Sequence, residues 1–135
     1  MSLNNAALIS GATMNAASGG APLTFSSLGG TSLGQNTLIV PADTTLSLRR
    51  SMNVNASAAK ANANSPGGYT QARQTLRFNV PRTLSNGNVS VDTVEIKLST
   101  DVQTSIADKQ EMLNIIAQTC IDADFTEFFT NQVID

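Results

Sequence analysis

The chain has 135 residues, the length of one domain, and its net charge of −2 comes from sparse ionic residues, 13% of the total. It contains no histidine and a single cysteine, which removes the commonest general base, the commonest transition-metal ligand, an internal disulfide and a thiolate metal cage. There is no apolar run of eighteen residues, and Met1 to Asn5 form neither a basic nor a continuous apolar segment. Membrane span and secretory signal are therefore not expected, and synthesis in the cytoplasm is.

Up to about Thr100 the pattern is strand-like, with short alternating stretches separated by Gly, Ser, Asn and Pro clusters. Six strands are expected. Ala6 to Ser10 and Pro22 to Leu28 flank the Gly19-Gly20 turn region, and Asn36 to Val40 follows Gly29-Gly30 and Gly34. The fourth, Thr45 to Ala56, puts Leu46, Leu48, Met52 and Val54 opposite Ser47, Arg49, Ser51, Asn53 and Asn55, with Arg50 out of place on the apolar side. The fifth, Arg73 to Pro81, sets Leu76, Phe78 and Val80 against Arg73, Thr75, Arg77 and Asn79. In the sixth, Val89 to Thr100, Val94, Ile96 and Leu98 oppose Thr93, Glu95 and Lys97. Three consecutive strands of period two imply an antiparallel sheet with one dry face and one polar face. The connections Ser57 to Gln71 and Arg82 to Asn88, the latter with an Asn86-Gly87 turn, should be exposed and mobile.

After Thr100 the period lengthens to that of a helix. Ser105 with Asp108 three residues on marks an N-terminus, and the helix should run to about Ile121, with Ile106, Met112, Leu113, Ile115, Ile116 and Cys120 as its apolar stripe. Asp108, Lys109, Glu111 and Gln118 look outward, and Cys120 is expected to be a buried thiol. Asp124 with Glu127 opens a short second helix carrying Phe125, Phe128, Phe129 and Val133. Such a short helix needs tertiary cover to persist. The chain's own sheet can supply it, and so can a second copy in an intertwined homodimer.

Charge is segregated along the chain. Between Arg49 and Lys97 seven basic residues face only Asp92 and Glu95, whereas from Leu98 to Asp135 Lys109 stands against seven acids. A basic sheet layer on an otherwise acidic protein suggests a polyanion partner. Abundant Asn, Ser, Thr, Ala and Gly suit a self-assembling protein better than a hydrolase, and no carboxylate spacing argues for catalysis. We expect no enzyme activity, cofactor, metal or small-molecule substrate.

The order of elements, together with Gln74-Thr75-Leu76-Arg77-Phe78-Asn79-Val80-Pro81-Arg82 and the run from Val91 to Thr100 ahead of a two-helix tail, resembles the coat proteins of single-stranded RNA bacteriophages, the levivirus-type family. The resemblance spans nearly the whole chain. It implies an α+β fold: an N-terminal β-hairpin, a five-stranded antiparallel sheet, and two C-terminal helices packed across the sheet of a dimer partner. Residues 1–135 then form one coat-protein domain, β-rich over 1–100 and a helical dimerisation tail over 101–135. By the same resemblance the protein forms homodimers that build an icosahedral capsid in the virion, packages single-stranded viral RNA on its inner sheet face, and can bind an RNA hairpin as a translational repressor.

Carried onto this sequence, the RNA-binding candidates are Arg49, Ser51, Asn53, Asn55, Arg73, Thr75, Arg77, Asn79, Thr93, Glu95 and Lys97. The dimer-interface candidates are Met112, Leu113, Ile116, Cys120, Phe125, Phe128 and Phe129. The chain departs from the family at Val91, where better-studied members place an aromatic ring that stacks on a loop base, at a C-terminus without a terminal aromatic, and in an Arg82 to Asn88 loop without cysteines. The rival reading is a β-rich structural or adhesive surface module that binds no RNA. It accounts for the composition but not for the acidic helical tail.

Overall fold

The computed structural model describes residues 6–12, 18–29 and 34–132. It groups into two compact units, one of Gly20–Gln103 and one that joins the described part of Met1–Gly19 to Thr104–Asp135.

The first unit is a five-stranded antiparallel meander in chain order: β1 (Ser26–Ser27), β2 (Gln35–Ile39), β3 (Ser51–Ser57), β4 (Ala72–Thr83) and β5 (Val89–Thr100). Each strand pairs with its sequence neighbour, so every connection is local. The β1–β2 hairpin supplies the first two strands of the five, and the expected Pro22 to Leu28 strand shrinks to Ser26–Ser27. The segment ahead of β1 still contributes packing: Phe25 meets Phe78 of β4 edge-on, with ring centroids 6.3 Å apart.

One expectation needs correction here, and another finds its cause. The fourth strand begins at Ser51, because Leu46–Leu48 close a single 3-10 turn with Leu48 N–H donating to the Thr45 carbonyl at 3.1 Å. Leucines two residues apart fit that turn as well as they fit a strand. Arg50, the misplaced cation, is explained by Asp43: its Nε and Nη2 donate to the two carboxylate oxygens at 2.9 and 3.0 Å, and its backbone N–H donates to Oδ2 at 3.0 Å. That fork holds the Asp43 carboxyl down at about 2. Val40, 1% exposed, is tied to both ends of this clip: its N–H donates to the Arg50 carbonyl at 3.2 Å and its carbonyl accepts from Asp43 N–H at 3.1 Å.

Both connections are exposed as expected, and both are knit by hydrogen bonds. In the 57–71 segment Lys60 and Thr70 pair through Thr70 N–H to Lys60 O at 2.7 Å, Asn62 N–H donates to Gly68 O at 2.8 Å, and Ala61 bridges Tyr69. Between β4 and β5, Leu84 N–H donates to Asn88 O at 2.7 Å, and Gly87 takes φ +84°, as the Asn-Gly signal requires.

In the second unit α1 spans Ile106–Ile121 and α2 spans Ala123–Asn131. Ser105 caps α1 as expected, its Oγ accepting from Asp108 N–H at 3.1 Å. The second cap is Asp122, not Asp124: Asp122 Oδ1 accepts from Asp124 N–H at 2.9 Å. Val133 lies outside the described residues.

Ala6 to Ser10 is not a strand. Its backbone is instead taken up by side chains of α1. Gln118 both accepts from Ile9 N–H at 2.8 Å and donates to Ile9 O at 2.9 Å; Glu111 accepts from Ser10 Oγ at 2.6 Å and Gly11 N–H at 2.9 Å; Asn114 donates to Ala12 O at 3.2 Å. Positions 111, 114 and 118 share one face of a helix. Glu111 and Gln118, expected to look outward into solvent, are the grips of this strap.

Candidate nucleic-acid interface

The register of the three long strands fixes which side chains share a face. Across β3, β4 and β5 the rows run Ser51–Asn79–Thr93, Asn53–Arg77–Glu95, Asn55–Thr75–Lys97 and Ser57–Arg73–Ser99. Between them lie Met52–Phe78–Val94, Val54–Leu76–Ile96 and Ala56–Gln74–Leu98, which point to the opposite side. Ten of the eleven RNA-binding candidates thus fall on one continuous face: Ser51, Asn53 and Asn55, then Arg73, Thr75, Arg77 and Asn79, then Thr93, Glu95 and Lys97.

Arg49 is the eleventh, and it lies ahead of β3, outside the strand expected to carry it. It follows the 3-10 turn ahead of β3, and its Nε donates to the Asp43 carbonyl at 3.0 Å. Strand alternation therefore does not set its direction.

The electrostatics of the face are simpler than the segment charge implied. Arg50, ahead of β3, is held by Asp43, and Arg82 is held by Asp92 at 2.6 Å on the side of the apolar rows. Arg73, Arg77 and Lys97 remain as the cations of the polar face, all exposed, with Glu95 as the one acid among the three strands' polar rows. Neutral groups fill the rest, and Asn79 Nδ2 donates to Ser51 Oγ at 3.2 Å. Such a surface can bind phosphates through its cations and offer hydroxyl and carboxamide groups to bases. Val91 stands on this same face opposite Pro81 and is 53% exposed.

The apolar rows behave differently across the sheet. Met52, Val54, Leu76 and Phe78 are half-buried, whereas Val94 and Ile96 on β5 are 62% and 41% exposed. β5 is also the edge of the sheet, twelve residues long.

Neither α1 nor α2 contains a fully buried residue. Of the dimer-interface candidates, Met112, Leu113, Ile116, Cys120 and Phe129 are exposed, while Phe125 and Phe128 are half-buried, with Phe128 and Phe129 stacked edge-on at 5.1 Å. Cys120 is thus not the buried thiol expected. On a helical wheel Met112, Leu113, Ile116 and Cys120 form one arc, away from the strap residues 111, 114 and 118. Among the described residues no cluster of potential metal ligands occurs, and no helix is long and apolar enough to cross a membrane.

No family model matches this chain, and no curated protein matches it. Among solved structures it is similar to a chain of the virus-like particle of bacteriophage GQ-907, at TM-score 0.88 and 24% sequence identity, over 99% of this chain and 100% of that one. Five antiparallel strands followed by two helices give this chain the fold of that virus-like-particle chain.

Proposed function

We propose that this chain is the structural capsid protein of a single-stranded RNA bacteriophage: it dimerises, assembles into an icosahedral shell, and holds RNA against the polar face of its sheet. The observation that carries the shell role is the end-to-end likeness to a virus-like-particle chain. Dimerisation is supported by the same features that leave the protomer incomplete. A nine-residue α2 cannot persist without packing, α1 presents an apolar arc, and the long edge of β5 is open with Val94 and Ile96 bare beside it. Pairing with a second copy related by a two-fold axis is a way to cover each of these surfaces. RNA binding is supported by the single-sided placement of Arg73, Arg77 and Lys97. The chain would act as a structural component of the virion, made in the host cytoplasm, and not as an enzyme.

Electron microscopy and sedimentation of the purified protein test the reading. Closed particles containing nucleic acid are expected; filaments or monomers would sink it. For the RNA face, replacing Arg77 and Lys97 together by Ala should lower retained RNA and flatten the logarithmic salt dependence of binding by about 0.7 per charge removed, with dimerisation intact. Unchanged RNA content would move the RNA site elsewhere.

A further inference from the structure

We infer that Arg77 and Glu95 together form a guanine-reading site at the centre of the polar sheet face, an assignment that rests on the proposed RNA role of that face. Arg77 of β4 and Glu95 of β5 are directly opposed in the register, which sets their Cβ atoms about 4.5–5.5 Å apart. Both side chains are exposed, and among the described residues neither makes a hydrogen bond or ion pair. The other carboxylates near these strands are engaged: Asp43, in the connection ahead of β3, grips Arg50, and Asp92 of β5 grips Arg82. The one carboxylate on the polar face stands open beside an open guanidinium.

On a face that binds a polyanion through three cations, an acidic side chain lowers affinity for every phosphate near it. Its presence is offset only where it meets a donor. Among the four RNA bases, guanine alone presents two adjacent donors, N1–H and N2–H, beside two acceptors, O6 and N7. A carboxylate accepts from the first pair and a guanidinium donates to the second, each with two parallel hydrogen bonds. Adenine, cytosine and uracil all set an acceptor beside each Watson–Crick donor, so none can satisfy both oxygens of Glu95. The neighbours suit an unpaired base: Asn53 lies beyond Arg77 in the same row, and Thr93 and Lys97 flank Glu95 along β5. In single-stranded RNA the Watson–Crick edge is free to be read in this way, and Lys97 and Arg73 are placed for the adjoining phosphates.

The test compares binding of the purified full-length protein to a short oligouridine carrying one guanosine, to the same oligomer with inosine or adenosine in that place, and to plain oligouridine. Wild-type protein should prefer guanosine over both replacements by about tenfold. Inosine lacks only the N2 amine, so its deficit isolates the second bond to Glu95. The Glu95→Gln variant should lose the preference while binding plain oligouridine as tightly or more tightly. Tighter binding of all four oligomers alike by Glu95→Gln, or no preference in the wild type, overturns the guanine assignment and leaves the RNA face standing. Oligouridine binding that ignores both salt and the joint loss of Arg73 and Lys97 overturns that face, and the guanine site with it.

Discussion

The sheet and the helical pair are held together by different means. In the sheet the backbone itself closes the structure: β3, β4 and β5 are paired along their full lengths, and the turns between them are hydrogen-bonded. In the helical unit the backbone bonds are internal to each helix, so tertiary order rests on side chains, and those of α1 and α2 include none that is fully buried. The strap of residues 9–12 occupies one face of α1, while the apolar arc of Met112, Leu113, Ile116 and Cys120 has no cover of that kind among the described residues. The contrast separates the two regions: the sheet is a display of polar groups fixed by backbone pairing, and the helices carry the exposed apolar arc on which the proposed dimerisation rests.

The largest effect expected from breaking that division is at Ile116, 47% exposed in the protomer. If a second copy covers it, Ile116→Asp buries an unpartnered carboxylate, at a cost of several kcal/mol. Sedimentation should then show dissociated protein that keeps its sheet signal in circular dichroism. If the arc faces solvent in the assembled state, the change should cost no more than about 0.5 kcal/mol and assembly should persist.

Gly34, at the start of the β2–β3 pairing, comes next, and its substitution challenges the sheet directly. Its φ is +83°, its carbonyl accepts from Ala56 N–H at 2.7 Å, and a Cβ there would collide with the Ala56 carbonyl oxygen. Gly34→Ala should destabilise the chain by about 1–3 kcal/mol in urea titrations, since both backbone strain and the collision oppose it. A smaller effect, of opposite sign, is expected at Thr100, the last residue of β5. It is 3% exposed, and its hydroxyl finds no hydrogen-bond partner among the described residues. Thr100→Val keeps the shape and removes the orphan, so a gain of about 1 kcal/mol is expected, and a loss would mean that the hydroxyl is satisfied.

What could be read in advance follows the same division. β4 and β5 were legible because their alternation is long and unbroken, and α1 because Ser105 and Asp108 announce its start. Strand period then placed ten of the eleven candidate residues on one common face with no further information. The failures are places where a local pattern has two solutions or a distant partner decides. Leu46 and Leu48 fit a strand or a 3-10 turn; Asp122 and Asp124 can each cap α2. Ala6 to Ser10 alternates like a strand, yet its backbone partners are side chains about a hundred residues away on α1. Arg49 and Arg50 were assigned by extending a period past the point where Asp43 captures the chain. The open Arg77 and Glu95 pair is invisible without register, since nothing in either strand alone says which residue the other opposes.

Acid offers a graded way to separate the two regions, because each is fastened by one carboxylate. Hydrogen bonds from Ser10 Oγ and Gly11 N–H hold Glu111 below its ordinary value of 4.5, and the Arg50 fork holds Asp43, ordinarily 3.8, at about 2. A carboxyl whose folded pKa lies below its unfolded one contributes stability that is complete above the unfolded value and is lost as pH falls through the folded value. The strap should therefore be fully fastened above about pH 4.5 and begin to loosen below it, while the Asp43 clip starts to weaken only below about pH 3.8 and keeps half its carboxyl ionised near pH 2. Amide exchange followed by NMR on descending pH should show protection lost at Ile9 and Gly11 before it is lost at Arg50, whose N–H donates to Asp43. In Glu111→Gln the Gly11 amide should be less protected already at neutral pH, with that at Arg50 unchanged. Equal and simultaneous loss at all three amides would mean that the strap and the clip report one cooperative unfolding, and that the two regions are not independently fastened.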